Sequence, residues 1–358
     1  MHLQELHITD FKNIGEAQLE FSPKINILLG NNGMGKSNLL DAIYCLSLAK
    51  SYTGLTDAAL IRHGAGFAMV RGEYERRGQS ETLILGLGGG HRKTLRRGDK
   101  AYRRISEHIG VFPLVMSRPA DMELAGGPPA ERRRFIDQVI SQSDAVYLES
   151  LMRYNGALEQ RNSMLRSGLG DPILYEAVEH VMCETAAEVT TRRSEFISRL
   201  GAIFDRYHHD ITGGGETVTL SYSSQLLGRG LDMQRLLDEN RQRDLVLGHT
   251  SAGPHRDDIE LMLDCLPLRR TASQGQAKSY TIALRLAQYD FLRQATGLTP
   301  LLLLDDLFDK LDAGRVQRII DIVSRPTFGQ IFISDTGRER VAIDGYHWMV
   351  TDGKPTRI

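Results

Sequence analysis

Gly30-Asn31-Asn32-Gly33-Met34-Gly35-Lys36-Ser37 decides the reading of this chain. The octet fits the spacing G-x-x-x-x-G-K-[ST]. Before it stands the apolar run Ile25-Asn26-Ile27-Leu28-Leu29, which reads as a strand, and behind it Leu39, Leu40, Ile43 and Leu46 recur at helical spacing. Strand, glycine-rich turn and amphipathic helix form the context such a loop needs in order to cradle phosphate. Each residue type has a reason. The glycines let successive backbone N–H groups curl around phosphate oxygens, and the following helix N-terminus adds positive potential. Lys36 can reach the β- and γ-phosphates of ATP, and the Ser37 hydroxyl can hold Mg²⁺. A plain glycine-rich turn is the competing reading, and the flanking elements argue against it.

Such a loop needs a carboxylate beside it. Leu301-Leu302-Leu303-Leu304 reads as a buried parallel strand, and it ends in Asp305-Asp306. In this class of fold the C-terminal end of a parallel strand faces the phosphate loop. Asp305 is expected to orient the metal ion and Asp306 to polarise the attacking water. Ser273-Gln274-Gly275-Gln276 opens the helix before that strand, with Ser273 as N-cap and Gly275 leaving room for a phosphate at the helix end. One chain has one nucleotide and already has a phosphate loop. The Ser273–Gly275 element therefore makes sense if it closes on the ATP of a second chain.

The ordered set of phosphate loop, Ser-x-Gly-x helix start and acidic strand resembles the ABC-type ATPase superfamily, in which two heads sandwich two ATPs. Within it, Leu6-His7-Ile8-Thr9-Asp10-Phe11-Lys12-Asn13 resembles the opening strand of RecF and SMC-like heads. Arg132-Arg133-Arg134-Phe135-Ile136-Asp137, Tyr154-Asn155-Gly156-Ala157-Leu158-Glu159-Gln160-Arg161-Asn162 and Gly253-Pro254-His255-Arg256-Asp257-Asp258 resemble the RecF family. The resemblance covers essentially the whole chain. It implies an α/β fold: an ABC-type ATPase head, with a mixed sheet around a P-loop core, carrying a mainly helical inserted arm. It also implies a catalytic set of Lys36, Asp306, Ser273 and Gly275, ATP held by Gly30 through Ser37, and Mg²⁺ held by Ser37 and Asp305. By the same resemblance the protein is a slow, DNA-dependent ATPase and recombination mediator. It would dimerise on ATP, engage gapped or junction DNA, and work with RecR and RecO. Two departures stand out. Phe308-Asp309-Lys310-Leu311-Asp312 follows the acidic strand where many relatives have Ser-Glu-Leu-Asp, and Tyr52-Thr53 follows Lys50-Ser51 where an arginine is frequent. A transporter ATPase subunit is the rival within the superfamily; the long helical insertion and the Asp-Asp strand end speak against it.

The rest of the chain sorts around these motifs. Residues 1–115 are expected to form the first part of the head, with antiparallel strands over 67–105 turning at Gly98-Asp99. Residues 116–245 are expected to form the arm and 246–358 the remainder of the head. Pro128-Pro129, Asp144 and Asp171-Pro172 are helix starts, and Gly213-Gly214-Gly215 is a stop. The third of these helices, roughly 36 residues long, would span about 55 Å.

Net charge is −1, so a nucleic-acid surface must come from a local patch and not from overall charge. Arg92, Lys93, Arg96, Arg97, Lys100, Arg103 and Arg104 crowd one hairpin, either as phosphate contacts for DNA or as the solvated charges of an edge strand. Arg132-Arg133-Arg134 in a first helical turn is unfavourable for cations, which points to ligand contact or internal ion pairs. His255 and Arg256 have no accompanying nucleophile, so a structural or dimer-contact role is preferred. Three cysteines without paired spacing fit a reducing cytoplasm, and no apolar run is long enough to span a bilayer.

Overall fold

The computed structural model describes residues 1–88, 90–168, 171–306, 311–336 and 344–358. The chain forms two compact units, Met1–Asp121 with Ile282–Ile358, and Met122–Thr281.

The first unit contains two six-stranded sheets. One is antiparallel and is built from β1 (His2–Phe11), β2 (Ile14–Glu20), β4 (Phe67–Arg76), β5 (Gln79–Gly88), β6 (His91–Arg97) and β7 (Lys100–Ala101), in the order β2-β1-β4-β5-β6-β7. The other is mixed. It has the order β15-β14-β3-β13-β12-β8, from β3 (Ile25–Leu29), β8 (Leu114–Ser117), β12 (Leu301–Asp305), β13 (Ile331–Asp335), β14 (Tyr346–Thr351) and β15 (Lys354–Arg357). Only the β14–β15 pair is antiparallel there. The central strands β3, β12 and β13 are buried throughout, as their continuous apolar runs require.

Helix α1 (Lys36–Leu48) follows β3 and is buried almost all round: Leu39, Leu40, Ile43 and Leu46 share one core with Leu6 and Ile8 of the antiparallel sheet and with Leu301, Leu303 and Phe332 of the mixed sheet. The helix expected to be amphipathic is thus buried on nearly every side, and its buried Asp41 is paired with Lys12 at 2.5 Å. Helix α9 (Ala313–Val323) joins β12 to β13 and is capped by Asp312, which accepts from the Arg315 amide. Phe308, Asp309 and Lys310 lie outside the described residues.

The second unit holds α2 (Met122–Gly126), α3 (Pro129–Ser143), α4 (Ala145–Ser167), α5 (Pro172–Thr212), α6 (Met233–Leu247), α7 (Leu268–Thr271) and the start of α8 (Gln274–Thr296), whose last part belongs to the first unit. Asp144 and Asp171 cap α4 and α5 as their positions require, and α5 is 41 residues long, or about 60 Å. The unit runs to Thr281, past the expected boundary at 245. The reason is a small sheet, β11-β10-β9, in which β9 (Val218–Ser223) pairs antiparallel with β10 (Asp258–Leu263) and β10 with β11 (Leu266–Pro267). Strands that alternate apolar and polar residues look alike wherever they pair, so the sequence alone placed β10 in the head. Among the described residues no helix is long and apolar enough to cross a membrane.

Candidate nucleotide site and basic hairpin

The parallel strands end side by side, and their order builds the site. The loop 30–37 leaves β3, Asp305-Asp306 leaves β12, and β13 lies between them. Register pairs Ser334 of β13 with Leu28 on one side and with Asp305 on the other. A cavity of about 190 Å³ opens there, lined by Asn32, Gly33, Gly35, Lys36, Ser37, Asn38, Pro119, Asp305, Asp306 and Ser334.

The loop is held in a conformation that only its glycines permit. Gly35 has φ +109°, and a Cβ there would lie 3.0 Å from the Asn13 side-chain amide; at Gly30 (φ +151°) a Cβ would lie 2.4 Å from the Val350 carbonyl. No side chain caps α1 and no acidic residue occupies its first turn, so its leading N–H groups and positive end face the cavity. The Lys36 ammonium donates to the carbonyls of Gly30 (2.6 Å) and Asn31 (2.9 Å). Burial lowers its pKa, while Asp305, Asp306 and Asp335 pull it back up.

Asp305 is buried and receives three hydroxyls. Ser37 Oγ (3.0 Å) and Ser334 Oγ (2.5 Å) donate to Oδ1, and the Tyr52 hydroxyl (3.1 Å) donates to Oδ2. Burial beside Asp305 raises the Tyr52 pKa far above that of a free phenol, so this hydroxyl remains a donor. A serine hydroxyl and a carboxylate 3.0 Å apart are hard oxygen donors that fit Mg²⁺. Among the described residues no group of three or more His, Cys, Asp or Glu side chains could hold a metal. A cation here would thus draw its other ligands from phosphate and water, as Mg²⁺ in phosphate sites usually does.

Asp306 lines the same cavity with φ +49°, and its amide donates to Ser334 Oγ at 3.0 Å. A non-glycine residue in the left-handed region at a strand end carries strain of about 1 kcal/mol or more, of the kind that concentrates at functional sites. Ser273 and Gly275 open α8 in the second unit and are not among the residues lining the cavity. There Ser273 and Gln276 form a reciprocal capping box: the Ser273 amide donates to Gln276 Oε1 (2.8 Å) and the Gln276 amide to Ser273 Oγ (3.2 Å).

Sequence reasoning missed Ser334, and Tyr52 entered it only as a departure from relatives. The available signal for Ser334 was the Ser334-Asp335 end of a second apolar strand, which a parallel sheet must bring beside the first.

The basic hairpin divides by face. Along β6 Leu95 is buried, and Lys93 and Arg97 share its side. Lys93 donates to the Ala49 carbonyl (2.8 Å) and Asp57 (3.1 Å), and Arg97 to Glu81 (2.6 Å). Arg92 and Arg96 alternate with them and are exposed, as are Lys100, Arg103 and Arg104. The cations at the start of α3 are paired internally. Arg132 grips both oxygens of Asp258 (2.7 and 2.9 Å), Arg133 donates to the Asp257 carbonyl, and Arg134 pairs with Glu131. His255 is locked between the Tyr154 hydroxyl (2.8 Å) and the Thr250 carbonyl (3.0 Å), and burial pushes its pKa down to about 4.

A P-loop at the C-terminal end of a central strand of a mixed sheet, beside an acidic strand end, in a chain with a helical arm, defines the class: an ABC-type head of the RecF and SMC kind. The family model described as "RecF/RecN/SMC N terminal domain" matches residues 2–85. An Smc head structure bound to the C-winged helix domain of ScpA shares the fold, with a TM-score of 0.59 at 16% identity, over all of this chain and 97% of the other. Likeness to RecF proteins is much closer. DNA replication and repair protein RecF of Porphyromonas gingivalis W83 is 44% identical over 95% of this chain and 94% of its own length. The RecF of Phocaeicola vulgatus is 46% identical over 95% and 92%. The solved recombination mediator protein RecF-ATP of the RecFOR pathway superimposes with a TM-score of 0.90 at 26% identity, covering 100% of this chain and 97% of the other. The chain belongs to the RecF family.

Proposed function

We propose that this chain is an ATP-dependent recombination mediator for DNA repair and replication, which dimerises on ATP and engages gapped or junction DNA together with RecR and RecO. The observation that carries the reading is the convergence of the loop 30–37, Asp305 and Asp306 on one cavity, in a chain this similar to RecF proteins solved with nucleotide. Lys36 turns from its loop carbonyls to the β- and γ-phosphates of ATP. Ser37 and Asp305 hold Mg²⁺, whose charge offsets that of the phosphates. Asp306 accepts a hydrogen bond from the attacking water; its short side chain fits slow turnover. Ser273 and Gly275 meet the γ-phosphate held by a second copy, so ATP is the bridge between chains. The exposed arginines of the hairpin contact DNA phosphates, and the cytoplasm is where such a protein works.

Sedimentation of the wild type and Ser273→Arg, with and without ATP, tests this reading. The wild type is expected to dimerise only with ATP. Ser273→Arg is expected to bind ATP within about threefold of wild-type affinity and stay monomeric, because the new side chain fills the space needed by the partner's phosphate. An Arg variant that dimerises on ATP like the wild type would reduce Ser273 to an ordinary helix cap.

A further inference from the structure

We infer that Tyr52 is a positioning residue for the metal end of the phosphate site, its hydroxyl fixing one oxygen of Asp305 so that the other stays turned to Ser37. The inference rests on the ATP and Mg²⁺ reading above. Tyr52 lies just beyond α1, outside any helix or strand, yet it is held from every side. Its amide donates to Asp41 Oδ1 at 2.9 Å; the buried Asp41 also receives Ser51 Oγ (2.6 Å) and the Lys12 ammonium (2.5 Å). Its carbonyl accepts from Arg118, the residue after β8. Its ring lies 5.9 Å from both the Lys12 ammonium and the Arg118 guanidinium, and meets the Tyr44 ring edge-on at 5.7 Å. Three separate segments, the β1–β2 turn, α1 and the end of β8, therefore place one hydroxyl.

That hydroxyl lies 3.1 Å from Asp305 Oδ2 and 3.2 Å from the Ser37 carbonyl, so it touches both residues that would hold the metal. Among the described residues the hydrogen bonds to Asp305 come from Tyr52, Ser37 and Ser334, all of them neutral hydroxyls. Had an arginine or lysine made these hydrogen bonds, it would hold the carboxylate in a direct ion pair. Neutral donors orient it without adding a cation to the nearby Lys36. Removing the hydroxyl frees Oδ2 while the ring and its flanking cations stay, so the carboxylate gains rotational freedom and pre-organisation for the metal is lost.

Tyr52→Phe isolates the effect. Calorimetric titration of the full chain with ATP is run in Mg²⁺ and again in EDTA, for wild type and variant, alongside the melting temperature of each unliganded protein. Wild type is expected to bind ATP more tightly with Mg²⁺. In Tyr52→Phe that metal-dependent gain falls about five- to tenfold and the Mg²⁺ concentration for half-maximal gain rises, while affinity in EDTA stays within twofold. Unliganded melting temperatures that agree within a few degrees exclude a folding defect; Tyr52→Trp, which also keeps a ring but displaces the donor, must show the same selective loss. A wild type whose ATP affinity ignores Mg²⁺ overturns the metal-site reading and this inference with it. A wild type that shows the gain, matched in full by Tyr52→Phe, overturns the inference alone.

Discussion

Two clusters of charge, one in each unit, look alike on paper and differ in what they leave open. In the arm Arg193 is 2% exposed; it donates to both oxygens of Asp137 (2.9 and 3.0 Å), to the Tyr147 hydroxyl (3.1 Å) and to the Pro254 carbonyl (2.7 Å). Nearby Arg161 binds Glu179, Asp244 and Thr250 at 2.7–2.9 Å. In the head Lys36 lies near Asp305, Asp306 and Asp335 and, among the described residues, hydrogen-bonds carbonyls of its own loop, while Asp305 is held by hydroxyls. The first cluster is closed by protein partners. The second is arranged around an open cavity, its lysine hydrogen-bonded to loop carbonyls and its Asp305 to neutral hydroxyls, with a strained Asp306 beside it. Buried charges locked into ion pairs hold a fold together; charges oriented at the wall of a cavity are set up for a ligand.

Paired substitutions should separate the two. Arg193→Ala leaves the partly buried Asp137 without its cation, and is expected to cost about 3 kcal/mol, read as a lower urea midpoint for the arm, with nucleotide affinity kept wherever the chain remains folded. Lys36→Ala is expected to do the reverse: ATP affinity falls tenfold or more while the urea midpoint barely moves, because the lysine's present partners are two carbonyls at the cavity edge. Should Lys36→Ala unfold the head, or Arg193→Ala selectively abolish ATP binding, the contrast fails.

Where this contrast was legible in the sequence is instructive. The loop, its strand and helix, and the acidic strand end carry residue types whose chemistry needs one spacing, so they could be read directly and lie together as expected. For Arg132 the sequence pointed to internal ion pairs or ligand contact, and for His255 to a structural or dimer-contact role, but for none of Tyr154, Arg161, Arg132 and Gly253 through Asp258 did it name the partner. Their function is mutual: Tyr154 holds His255, Arg161 and Asn162 hold Thr250, and Arg132 holds Asp258. Contacts 88 to 126 residues apart have no signature in local spacing. The same holds for Tyr52, which reaches Asp305 from 253 residues away, whereas Ser334, 29 residues away, stood at the end of an apolar strand that could have marked it. The second unit extends beyond residue 245 for a related reason, since β10 pairs with β9 about 40 residues upstream.

The basic hairpin carries the comparison to the surface. Lys93 and Arg97 are answered by Asp57 and Glu81, whereas Arg92, Arg96, Arg103 and Arg104 are exposed. Changing these four to glutamine is expected to reduce the slope of log affinity for DNA against log salt by about 3 to 4, the release expected for four phosphate contacts. Arg97→Gln is expected to leave that slope alone and lower stability by about 1 kcal/mol. A slope unchanged in the fourfold variant would return the hairpin to the role of a solvated edge.

Protonation offers the gentlest test. His255 in the arm sits between the Tyr154 hydroxyl and the Thr250 carbonyl. His108 in the head bonds the Leu46 carbonyl at 2.7 Å. Burial pushes both imidazoles down to about 4, from an ordinary value near 6.5. The folded protein therefore holds each ring neutral where the unfolded chain takes up a proton. Stability from this source is complete above pH 6.5, declines as pH falls below that, and is lost by the time pH passes through 4. Between pH 7 and pH 5 each histidine should account for roughly 2 kcal/mol. Glutamine at 255 can accept from Tyr154 and donate to Thr250 without titrating. His255→Gln should thus be somewhat less stable than wild type at pH 7, through imperfect packing, yet lose less on acidification, so that the two urea midpoints converge near pH 5. The decline due to His108, in the other unit, should be unaltered in the same variant. If His255→Gln weakens with falling pH as steeply as the wild type, then His255 is not held neutral by its place between Tyr154 and Thr250, and the arm is less tightly closed than its hydrogen bonds imply.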